Sequence, residues 1–324
     1  LTKETVFWQC LETWSSESFP NEIPMVFRFG IGLTTEMYLK KLIQTCRQTL
    51  SSPDSSEQRR GLSTISSSVL DDIRSQWRSF IEYYSSYDLT KDSDIFVALQ
   101  GIAQDIIVDT LGDHLKAGLS ESKFTEDLCW TVVDYSNPHQ KLEKWRAPSW
   151  SWGSTKDPVR IPRYTAGYQQ TRRDLIRIVT CNVPTKPSGE LISAFLSIEC
   201  KPIPTRIQQC PWRAQILLFG IEQHLDTIFV AMDEPCSKEE EEEGSRSIYL
   251  MPVAYSKDNA EARDRLEGVA LEICDENGQR YRRIGYFEIG VTWNESPDYE
   301  NSKEVFRKAM SMVEEAETCI IEIV

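Results

Sequence analysis

Hydrophobic and polar positions follow two different periods along this chain, and the change falls near residue 140. Over SVLDDIRSQWRSFIEYYS, residues 68–85, apolar side chains recur at Leu70, Ile73, Trp77, Phe80, Ile81 and Tyr84. Steps of three and four put them on one face of a helix. LTKDSDIFVALQGIAQDIIVDTLG, 89–112, repeats that period at Ile95, Leu99, Ile102 and Ile106, and Gly112 stands where a helix-ending glycine belongs. Further helices are predicted over 36–50 and, more briefly, over 121–133. The polar stretch 51–61 reads as a loop, and VFWQC at 6–10 as a short strand or a helix start.

After 140 the period shortens and prolines become frequent. Six runs rich in β-formers follow: 190–200, 212–221, 226–233, 247–255, 267–274 and 281–290. Gly, Pro and Asp separate them, as in hairpin-linked antiparallel strands. DENG at 275–278 predicts a tight turn into the last run. The pattern then returns to helical spacing at 301–317, with Asn301 as expected N-cap and Glu304 three residues later, and TCIIEIV closes as a strand. The expected fold class is α+β: a helical N-terminal half (1–140) followed by a mainly antiparallel β sheet or partial barrel with a late helix (141–324).

Composition narrows the function classes. With 40% hydrophobic and 27% charged residues over 324 positions, the chain can bury a core. A net charge of −14 repels phosphate backbones and anionic lipid surfaces. The expected partners therefore include no nucleic acid and no membrane. Nine scattered cysteines without a CxxC suggest a reducing compartment and no zinc knuckle. The expected localisation is cytoplasmic. KEEEEEG at 238–244 reads as a solvated loop.

Candidate chemistry is sparse. His114, His139 and His224 each stand alone, without metal-ligand spacing. There is no GxSxG elbow and no P-loop. FGIGL at 29–33 has two glycines of a nucleotide fingerprint and reads as a turn. Acidic residues cluster at Asp71-Asp72 and Asp92/Asp94; placement in the first turns of a helix explains Asp71-Asp72, with a general acid/base pair as the alternative. No catalytic, cofactor-binding or metal residue is assigned, and no cofactor is expected. The arresting stretch is RAPSWSWG, 146–153. If extended, it places Trp150 and Trp152 on one face, with Arg146 within reach of a ring. Two readings stand: an aromatic platform for a base or sugar, or a plug between the helical and β halves, with Gly153 permitting a sharp turn.

That stretch, with Asp157-Pro158-Val159 after it, resembles the "APSWSWAS-x-x-G/D-P-V" element of fungal heterokaryon-incompatibility (HET) proteins, with Gly153 in place of the usual alanine. Other stretches are similar in the same order. VFWQC with SSESFPN resembles "FWEC…ASE.FP.G", WRSFIEYYSSYDLTKDSDIFVALQGIA (77–103) resembles "W…V..YS.R.LT…DKLPALSGIA", LCW (128–130) matches "LLW", and RRIGYFEI (282–289) resembles "ERIGFFE". The residues carrying the resemblance are Trp8, Trp77, Asp94, Gly101, Trp130, Arg146, Pro148, Trp150, Trp152 and Gly285, as structural motif positions. The family's "LSHCWG", "WIDALCI.Q" and "RGWTLQE" elements are not in the chain, and Leu1 resembles a start just after the last of them. The resemblance thus implies the C-terminal region of such a protein, with the upstream HET domain of the same polypeptide as partner and another protein as a further candidate. It implies a role in nonself recognition and programmed cell death, in which any NAD cleavage belongs to the upstream, TIR-like domain. The alternative is a nucleotide- or NAD-handling enzyme with an aromatic pocket around Trp150 and Trp152.

Overall fold

The computed structural model describes residues 7–9, 14–16, 67–87, 91–133, 142, 144–162, 170–210, 213–217, 228–233, 246–258, 263–275, 277–291, 296–297 and 299–324. The helix expected over 36–50, the loop at 51–61, the FGIGL turn, the acidic run and both His139 and His224 lie outside them. So does the 140/141 boundary.

At the N-terminus, β1 (Phe7–Gln9) pairs antiparallel with β2 (Trp14–Ser16). The first long helix, α1 (Ser67–Tyr84), buries Ile73, Trp77 and Ile81, the apolar stripe read from the sequence. α2 (Ile95–Ala103) buries Ile95, Leu99 and Ala103 and continues as a π-helical stretch, Gln104–Thr110. The wider turn is visible in the Leu111 N–H, which reaches back five residues to the Ile106 carbonyl. Gly112, at φ 63°, then ends the helix in the left-handed conformation that glycine adopts without cost. A hairpin of β3 (Leu115–Lys116) and β4 (Leu119–Ser120) follows, then α3 (Phe124–Asp127). β5 (Thr131–Val132) pairs with β6 (Val159–Arg160). The predicted helix over 121–133 is thus shorter, because Thr131 and Val132 are drawn into this pairing.

The rest is one large sheet built from β7 (Gln170–Asp174), β8 (Arg177–Asn182), β9 (Phe195–Cys200), β10 (Ile203–Cys210), β11 (Arg213–Leu217), β12 (Ile228–Met232), β13 (Arg246–Asp258), β14 (Arg263–Ile273), β15 (Arg280–Gly290) and β16 (Cys319–Ile323). The order is β11-β10-β13-β14-β15-β16-β9-β8. The meander β13-β14-β15 is its spine. The outer edge of β13 takes β10 at one end and β7 at the other; that of β15 takes β16 and β12. The pairings are antiparallel except β15 with β16. The sheet is open, not a closed barrel. Two bulges bend its spine, at Val253 between Pro252 and Ala254, and at Ile284 opposite the Ala270–Leu271 step.

Each face of the sheet has its own core. One face packs Leu196, Ile198, Val253, Val269 and Ile323 against the helical layer through Trp77, Leu99, Ile106 and Trp150. Residues before and after position 140 therefore share one apolar interior. The other face packs Leu250, Leu266, Ala270 and Phe287 against α4 (Tyr299–Glu315), which presents Val305, Phe306, Ala309 and Val313. Here Asn301 is not the N-cap: the helix begins two residues earlier, where the Tyr299 N–H meets the Ser296 carbonyl.

Candidate functional site

The tryptophan motif is built around tight turns. The Ser151 N–H donates to the Pro148 carbonyl at 3.0 Å, and Trp152–Ser154 forms a 3₁₀ turn capped by the Ser151 hydroxyl, which accepts from the Gly153 N–H. Ser151 itself is extended but is flanked by these turns, so the two rings do not share a face as a continuous strand would place them. Trp150 lies 5.6 Å from Phe124 between ring centres, whereas Trp152 meets Phe96 at 5.6 Å and Tyr84 at 6.2 Å, edge to face. Trp150 is 0% exposed and Trp152 1%. Neither ring offers a surface on which a base or sugar could stack.

Polar atoms around the rings hold the backbone. The Trp152 Nε1–H donates to the Gly118 carbonyl at 3.0 Å, and the Trp130 Nε1–H to the Trp150 carbonyl at 2.9 Å. Gly118, at φ 86°, leaves space for the Trp152 ring: a Cβ there would come within 2.6 Å of its Nε1. Arg146 does not stack on a ring. Its guanidinium donates to the Gly153 and Thr155 carbonyls and faces Asp92 at 3.7 Å, tying the motif's start to its end. The Ser149 N–H and hydroxyl both donate to the Val324 carbonyl, and the Arg283 N–H donates to the Ser149 Oγ. The motif thus grips both β15 and β16.

Arg283 was not legible as a site residue. It is buried, its guanidinium carbon 3.6 Å from the Trp130 ring centre. It donates to the Leu128 and Trp130 carbonyls and pairs with Asp233 at 2.9 Å. The bulge at Ile284 sets its direction. One available signal was the adjacent Arg282–Arg283 pair: successive strand residues point to opposite faces, so one arginine of a two-sided strand must point inward.

The remaining motif residues are dispersed. Trp77 is buried in α1, 5.6 Å from Phe80. Asp94 lies in the turn ahead of α2 and accepts from the Ser93 hydroxyl. Gly101 sits on the exposed side of α2, with open space where a Cβ would project. Gly285 on β15 lies against β12, its missing Cβ 2.5 Å from the Ala231 carbonyl. Trp8 belongs to β1, and its side chain is outside the described set. Trp130, Arg146, Pro148, Trp150 and Trp152 are brought together; the others are not.

A second polar assembly occupies the same sheet face near α3. Glu267 and Glu288 are directly opposed on β14 and β15, and Arg265 stands 3.6 Å from each. Glu267, 0% exposed, also receives Arg172 at 3.3 Å; Arg172 in turn pairs with Asp174 and donates to Thr125. The Tyr286 hydroxyl donates to Glu288, and burial, then the Glu288 charge, pushes its own titration well up. Burial likewise pushes the Cys129 thiol up, the opposite of an activated nucleophile. The network joins strands and helix through compensating charges.

Among the described residues no group of three His, Cys, Asp or Glu side chains could hold a metal ion, and no helix is long and apolar enough to cross a membrane. Comparison with protein families, curated proteins and solved structures finds no match.

Proposed function

We propose that this chain is a non-catalytic interaction and regulatory region of a fungal heterokaryon-incompatibility protein, working in the cytoplasm with the HET domain of the same polypeptide in nonself recognition and cell death. One observation carries the non-catalytic part: the motif tryptophans are buried and Arg146 is engaged by the motif's own backbone, Trp152 holding the β3–β4 hairpin and Arg146 the Gly153 and Thr155 carbonyls. The family reading is supported by the order of its sequence elements, from Trp8 to Gly285. The alternative, a nucleotide or NAD site at Trp150 and Trp152, needs an open ring face, and neither ring has one.

The test pairs a binding assay with a ligand assay. A separately expressed HET-domain polypeptide carrying the SHCWG- and TLQE-type elements is titrated against this chain, and NAD and ATP are titrated by calorimetry. Association with the HET domain and no heat from either nucleotide are expected. Micromolar NAD binding, or NAD cleavage by this chain alone, would overturn the proposal.

A further inference from the structure

Two cysteines unrelated to the tryptophan motif are placed opposite one another. Cys200 ends β9 and Cys319 begins β16, and they are paired residues in the antiparallel register of those strands. Directly opposed antiparallel residues lie about 4.5–5.5 Å apart at Cα, inside the roughly 4.4–6.8 Å that a disulfide spans. Opposed residues of an antiparallel pair project to the same side of the sheet, so the two thiols neighbour one another. Cys200 is buried and Cys319 exposed, so one sulfur is open to solvent and the other waits behind it. The other described cysteines are placed differently. Cys129 is buried near α3, Cys181 pairs with Leu196, Cys210 pairs with Arg213, and Cys274 lies in the turn after β14.

We infer that Cys200 and Cys319 form a reversible cross-strand disulfide, a modification site with Cys319 as the entry thiol and Cys200 as the resolving one. With glutathione disulfide as oxidant, the Cys319 thiolate attacks one glutathione sulfur, giving a mixed disulfide and releasing one glutathione thiolate. Cys200, whose burial pushes its titration up to about 12, then attacks the Cys319 sulfur slowly through its small thiolate fraction, and the second glutathione leaves as a thiolate that takes up the proton. Two protein thiols become one disulfide, and one glutathione disulfide becomes two glutathiones. In a reducing compartment such a bond is transient and reports oxidation.

The position gives the bond a mechanical effect. β16 is held on one side by β9 and on the other by the start of β15, and it leads to the Val324 carbonyl that Ser149 grips. Beside Cys200, the Lys201 ammonium donates to the Val313 and Glu314 carbonyls at the end of α4. A Cys200–Cys319 bond would fasten α4, β9 and β16 at one point.

The test incubates the whole chain with glutathione disulfide, then maps peptides without reduction and measures the urea midpoint. A cross-linked peptide containing both residues is expected, with a higher midpoint than in the reduced protein. Cys319→Ser, at an exposed position, should remove both effects, while Cys274→Ser leaves them intact. A glutathione adduct that persists on Cys319, or glutathionylation of exposed Cys274 with no Cys200–Cys319 peptide, would overturn the inference.

Discussion

The guanidinium of Arg283 lies 3.6 Å over the ring of Trp130 and at the same time pairs with Asp233. A strand of the sheet is thereby fixed to the segment just after α3 and to the end of β12 by one side chain. Removing it takes away the guanidinium that the buried Asp233 carboxylate faces. Arg283→Ala should cost on the order of 3–5 kcal/mol, read from urea denaturation. Arg283→Lys should recover only part of this, because an ammonium cannot reproduce the planar fork that reaches two carbonyls and a carboxylate. Full recovery with lysine would show that charge alone is sufficient.

Trp152 joins α1, α2 and the β3–β4 hairpin. Trp152→Ala should destabilise the chain by about 3–5 kcal/mol. Trp152→Phe keeps a ring but loses the donor to Gly118, and the bond accounts for about 1 kcal/mol. Equal stability of the alanine variant and the parent in thermal denaturation would contradict this packing.

Two motif glycines should respond oppositely to alanine. At Gly101 a Cβ meets open space on an exposed helix face, so Gly101→Ala should stabilise by about 0.5–1 kcal/mol. At Gly285 a Cβ would meet the Ala231 carbonyl at 2.5 Å and the Met232 backbone at 3.2 Å. Gly285→Ala should cost about 1–3 kcal/mol by forcing β12 away. Denaturation midpoints of the two variants, moving in opposite directions, are the check.

The Asp113 carboxyl gives a pH dependence with a definite sign. Burial pushes it up, but donation from the Ser120 and Ser122 hydroxyls and the His114 and Ser122 N–H groups outweighs this, leaving it below the usual range. A carboxyl lowered by folding stabilises above its unfolded value, and the contribution is lost as pH falls through the folded one. Between neutral pH and pH 3 the parent should therefore lose more stability than Asp113→Asn, compared by urea midpoints. A parallel decline in the two would remove Asp113 from the account.

The long helices and the meander were legible because their apolar periods persist for many residues: Ile73, Trp77 and Ile81 in α1, and Val269 and Leu271 in β14. β7, QTRRD, was not, because it is polar throughout. β10 was hidden by Pro204, which stands near the start of the strand, opposite Tyr249 and where β11 does not extend. The Asn301 cap failed because backbone pairing with Ser296 starts α4 earlier. The tryptophan motif was readable as a place of importance, but not its partners. Gly118 lies 34 residues from Trp152, and Asp233 lies 50 from Arg283. Local spacing carries no information on such closures.

The bulges at Val253 and Ile284 each shift the phase of a strand. On β15, Tyr281 and Arg283 point to the helical layer before the bulge, and Tyr286 and Glu288 do so after it. Odd positions become even. An alignment of this chain to a relative lacking either bulge should open a single-residue gap there, at 253 or 284. Carried through without that gap, every later position of the strand would match an interior side chain to an exterior one.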